Sequence, residues 1–274
     1  MAVLYHFSSS ACYNSPMAEP TDTITFLGTG GARFVVARQF LASGGAWLTL
    51  GNTQILFDPG PGCLVQAART KLDPTKLAAI ILSHRHLDHS GDVNIMIEAM
   101  TDGGLKKRGT VFAPGDALSG DPVVFSYLRS YLQHLEVLTE GGSYVIDDVS
   151  LRTPVRHIHP VETYGFIFRT PRHTFSWITD TRYFEGLASH YEGDLLIINV
   201  VRLKPGAPLD HLSLPEAKSI IEELKPRTAI LTHFGMTMWR ARPWELAEEL
   251  TRETGITVIA ARDGMKFDLA QLEK

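Results

Sequence analysis

Residues Ser83 to Gly91 read Ser-His-Arg-His-Leu-Asp-His-Ser-Gly, placing His84, His86, Asp88 and His89 within six positions. Imidazole nitrogens and carboxylate oxygens are the ligands that zinc-class divalent cations take. On a strand, His84, His86 and Asp88 would share one face and His89 would point away. A turn at Asp88–His89 would let His89 join Asp88 on a second cation. A polar loop after a buried strand would hold such residues only by chance. Their alternation directly after Leu77-Ala78-Ala79-Ile80-Ile81-Leu82 favours ligation instead.

Further candidates follow apolar runs downstream. Trp177-Ile178-Thr179 leads to Asp180, whose carboxylate could bridge two cations; the alternative is a helix N-cap. Ala229-Ile230-Leu231-Thr232 delivers His233, much as the first run delivers His84. His157 and His159 lie between two strands, and His211 stands just before a helix. For that helix Ser213 is the expected N-cap, with Glu216 completing a capping box.

The elements that must position these residues alternate between strand and helix. Ile24–Leu27 is a strand ending at Gly28-Thr29-Gly30-Gly31, a tight turn with no clear helix after it and no phosphate-binding lysine. Ala46–Leu50 and Gln54–Phe57 flank Gly51-Asn52 as a hairpin. The second strand runs into Asp58-Pro59-Gly60, where Asp58 could simply cap a turn. Leu64–Lys71 reads as a helix, Ala78–Leu82 as a strand, and Asp92 as the cap of a helix to about Met100. Thr110–Ala113 reads as a strand. Val123–Leu135 reads as a helix in which Phe125, Tyr127 and Tyr131 pack. Strands meet across Asp147-Asp148, then Gly165–Arg169 and Thr174–Ile178 follow, then helix, strand, helix, strand. Two sheets packed face to face with helices outside fit this order, an α/β class.

The His-x-His-x-Asp-His pattern resembles the signature of the metallo-β-lactamase superfamily of metal-dependent hydrolases, and the resemblance runs from about Ile24 to the C-terminus. It implies an αββα four-layer sandwich with metals at one edge between the sheets. In the phosphodiesterase and tRNA-processing branch, a ligand histidine precedes an aromatic-Gly-aromatic by five residues. Tyr164-Gly165-Phe166 therefore implies His159 as ligand, with His157 the runner-up and a supporting residue behind the ligands. The resemblance further implies Asp58 as an acid that orients the metal loop, and Asp180 as the bridging ligand. His84, His86 and His159 would hold one metal and Asp88, His89 and His233 the other, zinc foremost with manganese or iron open. A bridging hydroxide between metals about 3.5–4 Å apart would be the nucleophile. His211, followed by the Glu-Ala helix, would protonate the leaving oxygen; the alternative is a surface-loop histidine. Asp88 and Asp180 thus join His211 in the catalytic set. Oxygen-reducing diiron relatives carry Glu at the place of His86 and a flavodoxin domain, and this chain has neither.

Composition narrows the class. The 274 residues are 44% hydrophobic and 20% charged, which suits one large α/β domain, residues 23–274. The net charge of −4 advertises no global field for nucleic acid. Cys12 and Cys63 are too few for a disulfide framework or a cysteine zinc site. Residues 1–22 lack the basic and apolar regions of a secretory signal and are expected to form a flexible extension, with Met17 as a second candidate start. A cytoplasmic location is expected, with no membrane association and homodimerisation left open.

The spacing between His159 and Asp180 leaves room only for a hairpin, not for the long arm with which tRNA 3′-processing enzymes grip tRNA. The compact layout resembles the accessory phosphodiesterase of the carbon–phosphorus lyase pathway, without that enzyme's cysteine-containing zinc site. The expectation is a dinuclear phosphodiesterase for small cyclic or nucleotide-type diesters rather than structured nucleic acid. Arg33, Arg38, Arg202 and Lys204, expected in loops, are candidate phosphate contacts. Hydrolysis of a carbon-centred ester, thioester, lactone or lactam is the alternative. A tRNA 3′-processing nuclease or an inactive metal-binding regulator is the third.

Overall fold

The computed structural model describes residues 22–206 and 209–273. The expected N-terminal extension lies outside these residues except for Asp22, which is buried and accepts the Gly51 N–H at 2.7 Å. The first half runs β1 (Thr23–Phe26), α1 (Ala32–Arg38), β2 (Ala46–Leu50), β3 (Thr53–Phe57), α2 (Cys63–Arg69), β4 (Ala79–Ile81), α3 (Leu87–Ser90), α4 (Val93–Met100), β5 (Thr110–Pro114) and β6 (His134–Leu138). The second runs β7 (Gly142–Ile146), β8 (Val149–Thr153), β9 (Phe166–Arg169), β10 (Thr174–Ile178), β11 (Leu195–Asn199), α5 (Leu214–Leu224), β12 (Thr228–Thr232), α6 (Met236–Arg240), α7 (Pro243–Thr254), β13 (Thr257–Ala260) and β14 (Lys266–Asp268).

Among the described residues the strands form two seven-stranded sheets, ordered β14-β1-β2-β3-β4-β5-β6 and β13-β12-β11-β10-β9-β8-β7. Parallel runs make up β3 to β6 in the first and β10 to β13 in the second. Parallel strands covered on both faces read as continuous apolar runs, as Leu195-Leu196-Ile197-Ile198 does. Leu195 and Ile197 face the inter-sheet core, while Leu196 and Ile198 pack under Ile220 and Ile221 of α5. Ala79 and Ile81 likewise face inward while Ile80 meets Met96 and Met100 of α4. Period-two alternation thus feeds a central core and two outer ones, giving the αββα sandwich. Phe57 stacks on Trp177 across the sheets at 4.3 Å, and burying each ring is worth roughly 1.5–3 kcal/mol. No helix of the described residues is long and apolar enough to cross a membrane.

Three local expectations are corrected. A helix does follow the glycine turn: α1 has no side-chain cap and contains Val35-Val36, so local signals are weak, and burial of Val35 secures it. Arg33 and Arg38 therefore ride on an exposed helix rather than in a loop. Val123–Leu135 is not an α-helix. Ser126–Tyr131 forms a 3-10 turn, and the residues beyond it are taken by β6, which pairs with β5. Phe125 and Tyr127, two positions apart, cannot share a helical stripe and stack on each other at the surface. Between β10 and β11 there is a 3-10 turn, Ala188–His190, where a full helix was expected.

Candidate metal centre

The carboxyl ends of parallel strands from both sheets meet at one edge, where open α/β sheets place their ligands. Asp58 follows β3, Ser83 and His84 follow β4, Asp180 follows β10, Asn199 ends β11 and His233 follows β12. Asp58 and His233 adopt left-handed backbone, φ 49° and 59°. That conformation ends each strand and costs a non-glycine residue roughly 1–3 kcal/mol. Gly31 faces His233 so closely that a Cβ there would fall 2.1 Å from the ring Nδ1, so only glycine fits. His86 stays extended and caps α3, whose single helical turn carries Asp88 and His89. The four motif residues thus leave a loop and a helical turn rather than an extended strand.

Three ring nitrogens converge: His84 Nε2 lies 3.1 Å from His86 Nδ1, and His159 Nε2 lies 3.0 Å from the same atom. The surrounding hydrogen bonds set their tautomers. Asp58 Oδ2 accepts the Ser83 hydroxyl at 2.6 Å, so His84 Nδ1–H donates to Ser83 Oγ. His159 Nδ1–H donates to the Asp210 carbonyl at 2.9 Å. Both Nε2 lone pairs therefore aim inward. Beside them, His89 Nδ1–H donates to Asp58 Oδ2 at 2.8 Å, freeing Nε2. His89 Nε2 lies 3.4 Å from Asp180 Oδ2 and 3.9 Å from Asp88 Oδ2. His233 Nε2 is 3.5 Å from Asp88 Oδ2, and its Nδ1 is 3.3 Å from Asp180 Oδ1.

The donor set fits two cations. Donor atoms lie within 4.8 Å of one another in three overlapping groups: His84, His86 and His159; His84, His89 and Asp180; Asp88, His89 and His233. His89 Nε2 and both ring nitrogens of His233 are buried with no hydrogen-bond partner. Buried polar atoms left unbonded are costly. A divalent cation held by Asp88, His89 and His233 would satisfy His89 Nε2 and one ring nitrogen of His233. Electrostatics agree in direction. Burial lowers the His84 pKa, and burial with the neighbouring His159 brings His86 down to about 4, so both rings stay neutral as ligands must. Burial opposes ionisation of Asp180, yet His233, His211 and His89 hold it well below the carboxylate range. Burial also opposes protonation of His89, but Asp58, Asp88 and Asp180 outweigh it and raise its pKa. A cation there would replace that proton.

The structure brings His211 to the same cluster: its Nδ1 lies 3.4 Å from Asp180 Oδ2 and its ring 5.2 Å from that of His159. His157 is kept out. Its Nδ1–H is shared between the Asp180 carbonyl and Thr179 Oγ1, and its Nε2 accepts from the Tyr191 hydroxyl. With both nitrogens engaged, the ring has no lone pair for a metal. Arg202 is 8% exposed, and it donates to the His211 carbonyl and pairs with Glu216 at 3.6 Å. Its loop position masked this inward role. Arg33 and Arg38 are exposed on α1, and the exposed Lys204 lines a groove beside the cluster. Asn199 escaped sequence reading: it accepts from Trp177 Nε1 at 3.2 Å and donates to Asp180 Oδ1 at 2.9 Å. A lone asparagine after Leu-Leu-Ile-Ile carries no spacing signal.

A family described as Beta-lactamase superfamily domain matches residues 53–234. The uncharacterized protein MJ1374 of Methanocaldococcus jannaschii is 34% identical over 254 residues, 90% of this chain and 94% of that protein. The probable metallo-hydrolase YhfI of Bacillus subtilis is 27% identical over 200 residues, 70% of this chain and 80% of YhfI. The YhfI crystal structure superposes with a TM-score of 0.75 at 20% identity, covering 91% of this chain and all of that one. A crystallised diphosphatase of the PhnP family gives a TM-score of 0.68 at 22% identity, covering 90% and 96%.

Proposed function

This chain belongs to the beta-lactamase superfamily, and we propose that it is a phosphodiesterase acting on small diesters with two divalent cations, zinc foremost. His84, His86 and His159 would hold one cation, Asp88, His89 and His233 the other, with Asp180 shared between them. Bound there, the cations supply a water of lowered pKa and positive charge for the oxygens that become negative. The chain's own residues do the rest. Asp58 orients His89 directly and His84 through Ser83, while Asn199 fixes one oxygen of Asp180.

One observation carries the choice of diester: a further histidine, outside the two ligand sets, faces the shared carboxylate. His211 sits with its ring against Asp180, and Arg202 pins its backbone carbonyl. Burial lowers the His211 pKa against the pull of Asp180, which makes its protonated form a stronger acid. Such a ring can give a proton to a departing alkoxide, the poorest leaving group in a diester. A thiolate departs without that help, so the histidine argues against a thioester, and the likeness to a PhnP-family diphosphatase favours phosphorus over a carbon ester. Small substrates are further supported by the segment between His159 and Asp180, which holds only the β9–β10 hairpin and no arm for folded RNA.

The test is a hydrolysis screen of zinc-loaded protein against 2′,3′-cyclic nucleotides, bis-nitrophenyl phosphate, a phosphomonoester, a thioester and a β-lactam. Diesters should give the highest kcat/KM. Turnover confined to the thioester or the lactam would overturn the reading.

A further inference from the structure

Beside the cluster lies a groove of about 520 Å³ between α1, the chain after β11 and the start of α6. Its apolar walls are Phe34, Val35, Val201, Leu203, Leu209 and Met236. Phe34 is 72% exposed and Leu209 52%, large hydrophobic side chains held in water beside a polar site. Exposed apolar surface next to such a site marks a place where something binds.

The same walls are joined to the site. Ala32 lines the groove and directs its N–H at Asp88 Oδ2, 3.2 Å away. Gly235 lines it two residues after His233, and Leu209 two residues before His211. Arg202 lines it while gripping the His211 carbonyl. Polar recognition along it is sparse. Thr237 Oγ1 accepts the Leu203 N–H at 3.1 Å, and Arg202 is engaged with His211 and Glu216. The exposed Lys204 is the remaining polar residue among the described lining, so one cation stands among mostly apolar walls.

We propose that this groove holds the leaving-group half of the substrate, and that this half is a hydrocarbon alcohol, alkyl or aryl. The proposal rests on the phosphodiesterase reading and narrows it. Water adds to phosphorus, the bond from phosphorus to the hydrocarbon-bearing oxygen breaks, and that oxygen takes its proton from His211. The products are the alcohol and a phosphomonoester.

Two readouts test it. n-Alkylphosphonates from ethyl to octyl, which cannot be hydrolysed, are titrated into zinc-loaded protein by calorimetry. Full burial is worth about 0.8 kcal/mol per methylene, so Kd should fall by up to about fourfold for each. The slope should flatten in Phe34→Ser and Leu209→Ser, both at exposed positions. A Kd independent of chain length overturns the groove. In the second, methyl octyl phosphate offers two alkoxides of similar basicity; octanol and methyl phosphate should form. Methanol and octyl phosphate as products would place the chain on the other side and overturn the assignment. If no diester is cleaved yet phosphonate affinity rises with length, the phosphodiesterase reading falls and the hydrocarbon site stands.

Discussion

Asp58 accepts the His89 ring at Oδ2, 2.8 Å from Nδ1, and that same oxygen accepts the Ser83 hydroxyl while Oδ1 accepts the Ser83 amide. One carboxylate thus sets the tautomer of a histidine assigned to each cation, His89 directly and His84 through Ser83. Its position is fixed by the core below. Phe57, the residue before it, stacks on Trp177, whose indole holds Asn199, which in turn holds Asp180. The cluster is therefore built on rigid strand ends of both sheets rather than on a loop alone.

Removing that carboxylate should loosen the ligands without removing one. Asp58→Ala is expected to fold and to weaken zinc affinity by roughly 10–100-fold, the usual effect of losing a group that orients a ligand. Competition with a chromophoric chelator measures this. Unchanged affinity would mean that the Asp58 contacts serve only the turn.

The proposed stoichiometry of two rests on the donor set. Protein reconstituted with zinc should approach two equivalents by elemental analysis. Chelation should lower Tm, because a cation that binds only the folded state stabilises it by mass action. A reproducible ceiling of one equivalent, with all seven ligands intact, would sink the dinuclear assignment.

The layers and strand ends were legible because physics leaves a repeating trace there. Apolar runs closed by His84, Asp180 and His233 announce buried strands that deliver polar groups to one edge, and Ser213 with Glu216 announces the start of α5. The Ser213 N–H and hydroxyl both donate to the Glu216 carboxylate. Other features leave no such trace. Helix α1 has no cap and a β-branched pair, so only tertiary burial of Val35 makes it a helix. Arg202 looks like any loop arginine until the chain turns it onto the His211 carbonyl. Asn199 acts through two hydrogen bonds to residues 22 and 19 positions away, a relationship no local spacing encodes.

His157 offers a pH test that does not depend on turnover. Burial pushes its pKa down to about 3, against about 6.5 in an unfolded chain. The folded pKa is depressed, so the neutral ring's contribution is complete above pH 6.5 and is lost as pH falls toward 3. In that window it should disappear at about 1.4 kcal/mol per pH unit. Urea unfolding of metal-free protein at stepped pH should show the advantage of wild type over His157→Gln shrinking at that slope. Parallel curves for the two proteins would show that His157 titrates alike folded and unfolded.

His211 is proposed to protonate the leaving oxygen, and that help matters most when the leaving group is basic. His211→Ala removes no assigned ligand, so metal content and Tm should stay near those of wild type. An alkyl phosphodiester should slow by roughly 10²–10⁴-fold, the usual contribution of a positioned general acid. A bis-nitrophenyl diester should slow far less, because nitrophenolate leaves without a proton. Arg202→Gln should show the same substrate-dependent pattern more weakly, since it unpins the His211 backbone without touching the ring. Equal losses on both substrates, with both metals retained, would make His211 a residue that positions substrate rather than one that delivers a proton.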